Sequence, residues 1–433
     1  METITPERRK KILRVLFISL LLDLISFTFI LPLFPSLLTF YRSLEKHPSS
    51  ALNRILHYLN AYKSSFAVPI NEKYDIVLLG GALGSLFSFL QATASPVIGR
   101  ASDKYGRRTA LLWSMCGNIA SVALWCFAVD FRTFLLSRVV GGLSEGNVQL
   151  ATAIATDIST DEQRGSTMAL VGACFSVAFT FGPAMGAALA SVTTVIANPF
   201  ATAAGFSLLL IVLETLYLYF QLPETRPAKR EAHGSKTVSR AFRHTNNPLV
   251  LNIVHFLFLL PFSGMEFSLP FLITSVLYPD HLSPSKMNGR LLGFVGLVAS
   301  ILQGSVVRRL PPLTVVKIGV VSSTLSFFLL SRIQDTAGLY CAGALLAVTS
   351  ATVVTGLNSL GSFEAKESNR GEVLGALRSW GQFGRALGPI VFCSLFWWAG
   401  RETAYLMGGS AMLGVSVVVF TALKAPKVEK KAS

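Results

Sequence analysis

The sequence predicts an all-α membrane protein of twelve transmembrane helices, arranged as two six-helix pseudo-repeats. Three observations carry this. Hydrophobic residues make up 52% of the chain and charged ones only 14%, against roughly 25% charged in ordinary soluble domains. Long apolar runs recur from near one end of the chain to the other, which leaves no stretch for a soluble domain and excludes the short alternating strands of an outer-membrane barrel. Six such runs precede a polar central segment and six follow it. Runs of this length cross as helices, because only a helix satisfies its own backbone groups in hydrocarbon.

Breaking the apolar windows at charge and Pro/Gly clusters places the spans near 13–38, 75–98, 109–129, 133–155, 164–190, 200–222, 249–278, 289–309, 313–332, 337–358, 371–398 and 402–423. The central segment 223–248 then divides an N-terminal half, 1–222, from a C-terminal half, 249–433. The other long connection, 39–74, reads as a polar loop with scattered aromatics. The first apolar run is too long for the h-region of a signal peptide and is read as a retained span. Basic residues crowd the N-terminus (Arg8, Arg9, Lys10, Lys11), the segment Arg100 to Arg108 and the central segment. By the positive-inside rule both termini are expected in the cytoplasm. Lys430-Lys431-Ala432-Ser433 resembles a dilysine retrieval signal, so plasma membrane and endomembrane both stay open.

The net charge of +15 is spread over short segments between apolar runs. It therefore sets topology and does not build the basic face with aromatic platforms that nucleic acid needs. The five cysteines all fall in apolar segments without paired spacing, and the six histidines show no ligand spacing. Neither a disulfide framework, a metal site nor a cofactor is expected. Gly234-Ser235-Lys236-Thr237 lacks the leading glycine and strand of a phosphate-binding loop, so ATP hydrolysis is not read as the energy source. No paired nucleophile and base suggests an enzyme.

One pattern occurs twice. Arg164-Gly165 is followed in the fifth span by Gly182-Pro183, and Arg370-Gly371 is followed at the same spacing in the eleventh by Gly388-Pro389. Spans 5 and 11 are therefore equivalents in a parallel repeat. Gly172, Gly182, Pro183 and Gly186, with Gly388 and Pro389, are expected to let helices approach closely and bend.

Between spans 2 and 3 stands G-R-A-S-D-K-Y-G-R-R-T, Gly99 to Thr109. Gly99 ends a helix, Gly106 permits a tight turn, and Asp103 is placed to meet a helix N-terminus and a nearby arginine. This loop resembles the signature loop of the major facilitator superfamily. Arg138 to Gly146 (R-V-V-G-G-L-S-E-G) is similar to the span 4 motif of its proton-driven members, and Gly172 to Gly186 to the span 5 motif of its antiporters. Leu21 to Pro35, G-G-L-S-E-G-N and F-S-G-M-E-F resemble the tetracycline-transporter-like branch of drug:proton antiporters. The likeness covers the whole chain. It departs between spans 8 and 9, where Gly304 and Arg308-Arg309 remain without an acid after the glycine.

The resemblance implies the major facilitator fold and a secondary active transporter of organic solutes, coupled to protons, in which the two halves rock about a midplane site. It makes Gly99, Asp103, Gly106, Arg107 and Arg108 a gating loop, with Asp103 meeting Gly371 and the arginine at 138 or 108. It also makes spans 1, 4, 7 and 10 line a central cavity. Asp23, Glu145 and Glu266 lie on three of these, and an intramembrane acid is a functional candidate by default. Glu266, between Gly264 and Pro270, is the first choice for proton coupling, then Asp23 and Glu145. Glu214, on span 6, is read as snorkelling or bonding a neighbouring helix.

Arg138 and Glu145 share a helical face that Gln149 extends, and Arg378, Gln382 and Arg385 share one on span 11. These five are candidate cavity and substrate residues. Three acids oppose three arginines, so charge alone leaves the substrate's charge open. The expected partners are a small organic solute, protons and the lipid bilayer, with the protein a monomer. An uncoupled facilitator and a transporter-derived receptor or scaffold are the alternatives.

Overall fold

The computed structural model describes residues 5–30, 33–45, 47–66, 75–190, 192, 195, 198–226, 245–273 and 284–426. The dilysine-like C-terminus and the Gly234–Thr237 string lie outside the described residues. In chain order the helices are α1 (Pro6–Thr28), α2 (Phe34–Leu44), α3 (Ala51–Ser64), α4 (Asp75–Tyr105), α5 (Arg107–Cys126), α6 (Phe131–Ser144), α7 (Asn147–Asp157), α8 (Asp161–Ala190), α9 (Ala201–Gln221), α10 (Pro248–Leu272), α11 (Pro284–Ser305), α12 (Pro312–Arg332), α13 (Thr336–Phe363) and α14 (Arg370–Ala422). Among the described residues nine helices are long and apolar enough to cross a membrane. Spans 1 and 4 complete the set as α1 and the pair α6–α7, and α14 is spans 11 and 12 run together across Gly400, whose φ is 82°.

Three features depart from the sequence expectation. The first helix ends at Thr28, and the apolar residues beyond it form a separate α2 with Pro35 in its first turn, where proline is tolerated. Pro32 and Pro35 are the sign of that division within an otherwise apolar run. The connection 39–74 contains the second half of α2 and all of α3, and the two helices bury Leu37, Leu38, Tyr41, Leu52 and Leu56 against the spans. Arg42 and Lys63 both pair with Asp75 at the start of α4, the former at 3.4 Å, and the Tyr41 hydroxyl donates to Ala128 O at 3.1 Å. These amphipathic helices cap one face of the bundle.

The third departure is in span 4. The helix stops at Ser144 and restarts at Asn147, with Glu145 off the helical conformation at ψ 82°. The break is held from α5: Gly146 N donates to Ser114 Oγ at 2.9 Å and that hydroxyl donates to Ser144 O. The helical spacing that put Arg138, Glu145 and Gln149 on one stripe is therefore interrupted at its middle member.

Residues from Ile12 to Leu222 form one hydrophobic cluster, and residues from Leu251 to Leu423, joined by Leu78, form a second. A smaller cluster ties Ala169 of α8 to α11, α12 and α13. The repeated Gly-Pro pairs occupy matching places. A side chain at Gly182 would run into Thr28, and one at Gly186 into the backbone at Phe29, so α8 crosses α1 in close contact. A side chain at Gly388 would meet Ser263 and Leu260 O, so α14 crosses α10 in the same manner. At Gly172 it would meet Gln303 Nε2 and Thr355 Oγ1, both at 2.7 Å, where α8 touches α11 and α13. Pro183 and Pro389 stand inside helices, one in each crossing partner.

The α4–α5 turn, the α7–α8 turn, the start of α14 and the residues on both sides of the central segment share one end of the bundle, where Asn246 Nδ2 donates to Lys424 O at 3.0 Å. This end is called the basic face below.

Candidate functional site

The two candidate regions are a polar network on the basic face and a set of charges half way along the spans. In the first, Gly106 takes φ 104°, the left-handed region open to glycine, and turns α4 into α5. The turn carries Asp103 to the start of α14. Asp103 Oδ1 accepts from Gly371 N at 2.9 Å and Oδ2 from Glu372 N at 2.8 Å, so the carboxylate caps a helix of the other half where backbone N–H groups are otherwise unpaired. Its arginine partner is Arg107, at 2.7 Å, and neither Arg108 nor Arg138. Arg107 follows one helical turn after Asp103, whereas Arg108 points away to Tyr219 O (2.6 Å) and Arg138 lies in α6 on the far side of the span 4 break.

Arg107 also joins Asp157 at the end of α7, with Nε to Oδ2 at 2.8 Å, and Asp157 Oδ1 takes Arg370 of α14 at 2.9 Å. Arg164, the repeat partner of Arg370, donates to Ser362 O at 3.1 Å. Gly99 and Gly371 face each other so closely that a side chain at either would enter the other's backbone. The contact continues inward as Ser379 Oγ donating to Ala92 O at 2.6 Å and as the Phe89–Phe383 ring pair at 5.8 Å. The gating-loop residues thus sit on a closed seam between α4 and α14.

Asp157, Glu224 and Glu364 were not singled out from sequence. Glu224 accepts from the backbone of Arg107 (2.9 Å) and Arg108 (3.2 Å) and so caps α5. Glu364 accepts from the backbone of Thr245 and Asn246 ahead of α10. A signal existed for Asp157 only indirectly, in the duplicated Arg-Gly, which implied that each arginine needs a carboxylate.

In the middle of the spans the charges meet differently. Glu266 of α10 lies 3.7 Å from Arg385 of α14, and both side chains are open, at 41% and 42% exposure. Arg378, two turns from Arg385, has no carboxylate within 4 Å among the described residues, and its Nε is buried without a partner. The carboxyls whose charge reaches it are Glu145 and Asp23, both beyond ion-pair distance. Gln382 sits between the two arginines, its Oε1 also buried and unpartnered. Gln149 donates from Nε2 to Ser95 O at 2.9 Å, which ties α7 to α4 and leaves Oε1 free of partners.

Asp23, Arg138 and Glu145 line a cavity of about 40 Å³ inside the N-terminal set of helices, together with Ser26, Asn118 and Trp125. Asn118 Nδ2 donates to Glu145 at 3.2 Å. The Arg138 guanidinium lies over the rings of Phe134 (5.5 Å) and Trp125 (5.9 Å) and is not ion-paired among the described residues. Aromatic faces stabilise such a cation. His255 of α10 contacts Leu377 O through Nδ1 at 2.9 Å, a helix-packing bond between spans 7 and 11.

The Major Facilitator Superfamily model matches residues 16–389. The chain belongs to the major facilitator superfamily. It is therefore an integral multi-pass membrane transporter and not an enzyme. Major facilitator superfamily domain-containing protein 10 of Mus musculus is 32% identical over 98% of this chain and 96% of its own length. The class E tetracycline resistance protein of Escherichia coli is 26% identical over 75% of this chain and 79% of that protein. A crystal structure of the human organic anion transporter MFSD10 superposes with a TM-score of 0.84, at 31% identity, covering 96% of this chain and all of that one. The proton:xylose symporter XylE shares the superfamily fold at a TM-score of 0.71 and 14% identity.

Proposed function

We propose that the chain moves organic anions across a membrane by alternating access of two six-helix halves, 1–222 and 249–433, joined by 223–248, and that protons drive it. The observation that carries this is Arg378: a guanidinium on the seam between halves, without a carboxylate within 4 Å among the described residues, beside Gln382 and Arg385. A guanidinium cannot give up its proton and offers a planar fork that fits a carboxylate, sulfonate or phosphate. The description of the human relative as an organic anion transporter supports the same class.

Coupling follows from the Glu266–Arg385 pair. An exposed ion pair at this depth cannot face hydrocarbon, so it faces a water-holding cleft. At 3.7 Å the pair is loose, and a proton taken by Glu266 frees Arg385 for an incoming anion. Proton and anion then load together, which favours co-transport over the exchange that the tetracycline-type likeness implied. Asp23 and Glu145 act on Arg378 in the same sense. The basic face is assigned to the cytoplasm, and the seam there closes the site from that side. The test is uptake of a fluorescent aromatic sulfonate, which does not cross as a neutral acid, into proteoliposomes with an imposed pH gradient. Accumulation that follows the gradient supports the reading; equilibration unaffected by it supports an uncoupled facilitator.

A further inference from the structure

Glu214 neither snorkels nor pairs. It stands on the face of α9 made by Ser207, Ile211, Glu214 and Leu218, all buried, where Ser207 meets Ser26 of α1, while α9 packs on α5 as well. The residue is 1% exposed and its Oε2 has no hydrogen-bond partner. Asp23 on α1 is 2% exposed, and its Oδ2 is likewise unpartnered. The hydroxyls of Ser26 and Ser207 bond to each other and fix the register of the two helices. From that pair Asp23 lies three residues back along α1 and Glu214 seven residues on along α9. In this antiparallel pair those steps run the same way, which leaves an axial offset of about 6 Å between the two backbones. Helical side chains lean toward their own N-terminus, so Asp23 and Glu214 lean toward each other.

The surrounding charges sharpen the point. Asp23 and Glu145, both acids, are the charged groups that act on Glu214. Among the described residues no cation of the helices packed on α9 lies in ion-pair reach of Glu214: α1 carries Arg8, Arg9, Lys10, Lys11 and Arg14 toward its start, α5 brings Cys126 at one end and Arg107 and Arg108 at the other, with Arg108 bonded to Tyr219 O, and the charges of α8 (Asp161, Glu162, Arg164) cluster at its start. Arg378 acts on Asp23, and Arg378 and Arg138 act on Glu145, each from beyond ion-pair distance, two cations against three buried carboxyls. An ionised carboxylate with no counter-charge is among the costliest things to bury. One carboxyl of the three must therefore hold a proton.

We propose that Glu214 is a second proton-carrying site of the transport cycle, passing its proton to and from Asp23 across the α1–α9 contact. This rests on the proton-coupled reading above. The step is a bare proton transfer: the O–H bond at Glu214 Oε2 breaks and one forms at Asp23 Oδ2, directly or through a water of the adjoining cavity, with no electron transfer. That cavity, lined by Asp23 and by Ser207 and Ile211 of the Glu214 face, connects Asp23 to the Arg138–Glu145 region. Span 6 would thereby take part in coupling, although it lies outside the cavity-lining spans.

The experiment compares wild type with Glu214→Gln, which keeps size and hydrogen-bonding atoms but cannot exchange a proton. Infrared difference spectra of the purified proteins between acidic and alkaline buffer should show a protonated-carboxyl C=O band that titrates in wild type and is missing in Glu214→Gln. In Asp23→Asn the midpoint of that band should move, because the two carboxyls are coupled. In proteoliposomes Glu214→Gln should accumulate about tenfold less of the aromatic sulfonate per pH unit of gradient, one proton having been removed from the stoichiometry. An unchanged spectrum in Glu214→Gln, or unchanged accumulation beside a normally coupled wild type, overturns this inference alone. A wild type without pH-driven accumulation overturns the coupling reading, and the transport role of Glu214 with it.

Discussion

The basic face and the middle of the spans carry the same residue types in opposite states. At the basic face the charges of the seam are joined in ion pairs: Asp103, Arg107, Asp157 and Arg370 form a chain of contacts of 2.7–2.9 Å from α4 to α14, with the Arg370 Nε alone of this chain buried without a partner. In the middle, Arg378 has no carboxylate in reach among the described residues, Asp23 and Gln382 each keep a buried polar atom unpaired, and Glu266 and Arg385 stand 3.7 Å apart. Paired charges fix one arrangement of the halves. Under the proposed coupling, unpaired ones are available to a proton or a solute.

If this contrast is right, breaking the paired region should cost most. Asp157→Asn leaves Arg107 and Arg370 facing each other with half their compensation, and loss of one partner from a buried pair typically costs about 3–5 kcal/mol. The expected result is an open basic face, read as faster labelling from that side of a cysteine placed at Ser379. A smaller loss of closure is expected from Asp103→Asn, which keeps its size but loses charge-assisted bonds worth about 2 kcal/mol, or about thirtyfold in the closed population. Labelling at Ser379 equal to wild type in both variants would reduce the loop to a topology signal.

The middle should respond in binding and not in closure. Arg378→Ala is expected to weaken binding of the aromatic sulfonate on purified, monodisperse protein by about tenfold to a hundredfold, since hydrogen bonds to charged groups contribute about 1.5–3 kcal/mol. Arg378→Lys, which keeps charge but loses the fork, should fall between. A protein that fails to insert in either case would indicate structural pairing instead. Replacing Gly371 by Ala should add steric strain at the seam without changing any charge, so it should shift accessibility and leave affinity nearly unchanged.

Much of this arrangement was legible in the sequence. The long apolar runs gave the spans, and the repeated Arg-Gly and Gly-Pro pairs marked the equivalence of spans 5 and 11 because close helix crossings demand small residues wherever they recur. Asp103 was readable because glycines at fixed offsets define a turn. Three things were not. The break at Glu145 depends on Ser114 of α5, a partner distant in sequence. The partner of Asp103 turned on which of two adjacent arginines faced inward. Glu214 looked peripheral by span number, and only the packing of α9 on α1 reveals its burial beside Asp23.

The most direct test of the central claim is Glu266→Gln in proteoliposomes, a neutral replacement that frees Arg385 permanently. The account predicts that sulfonate still binds and still exchanges by counterflow, while accumulation driven by a pH gradient falls about tenfold per pH unit, the proton of Glu266 having left the stoichiometry. Full pH-driven accumulation by Glu266→Gln would contradict it and transfer the proton to Asp23 or Glu145.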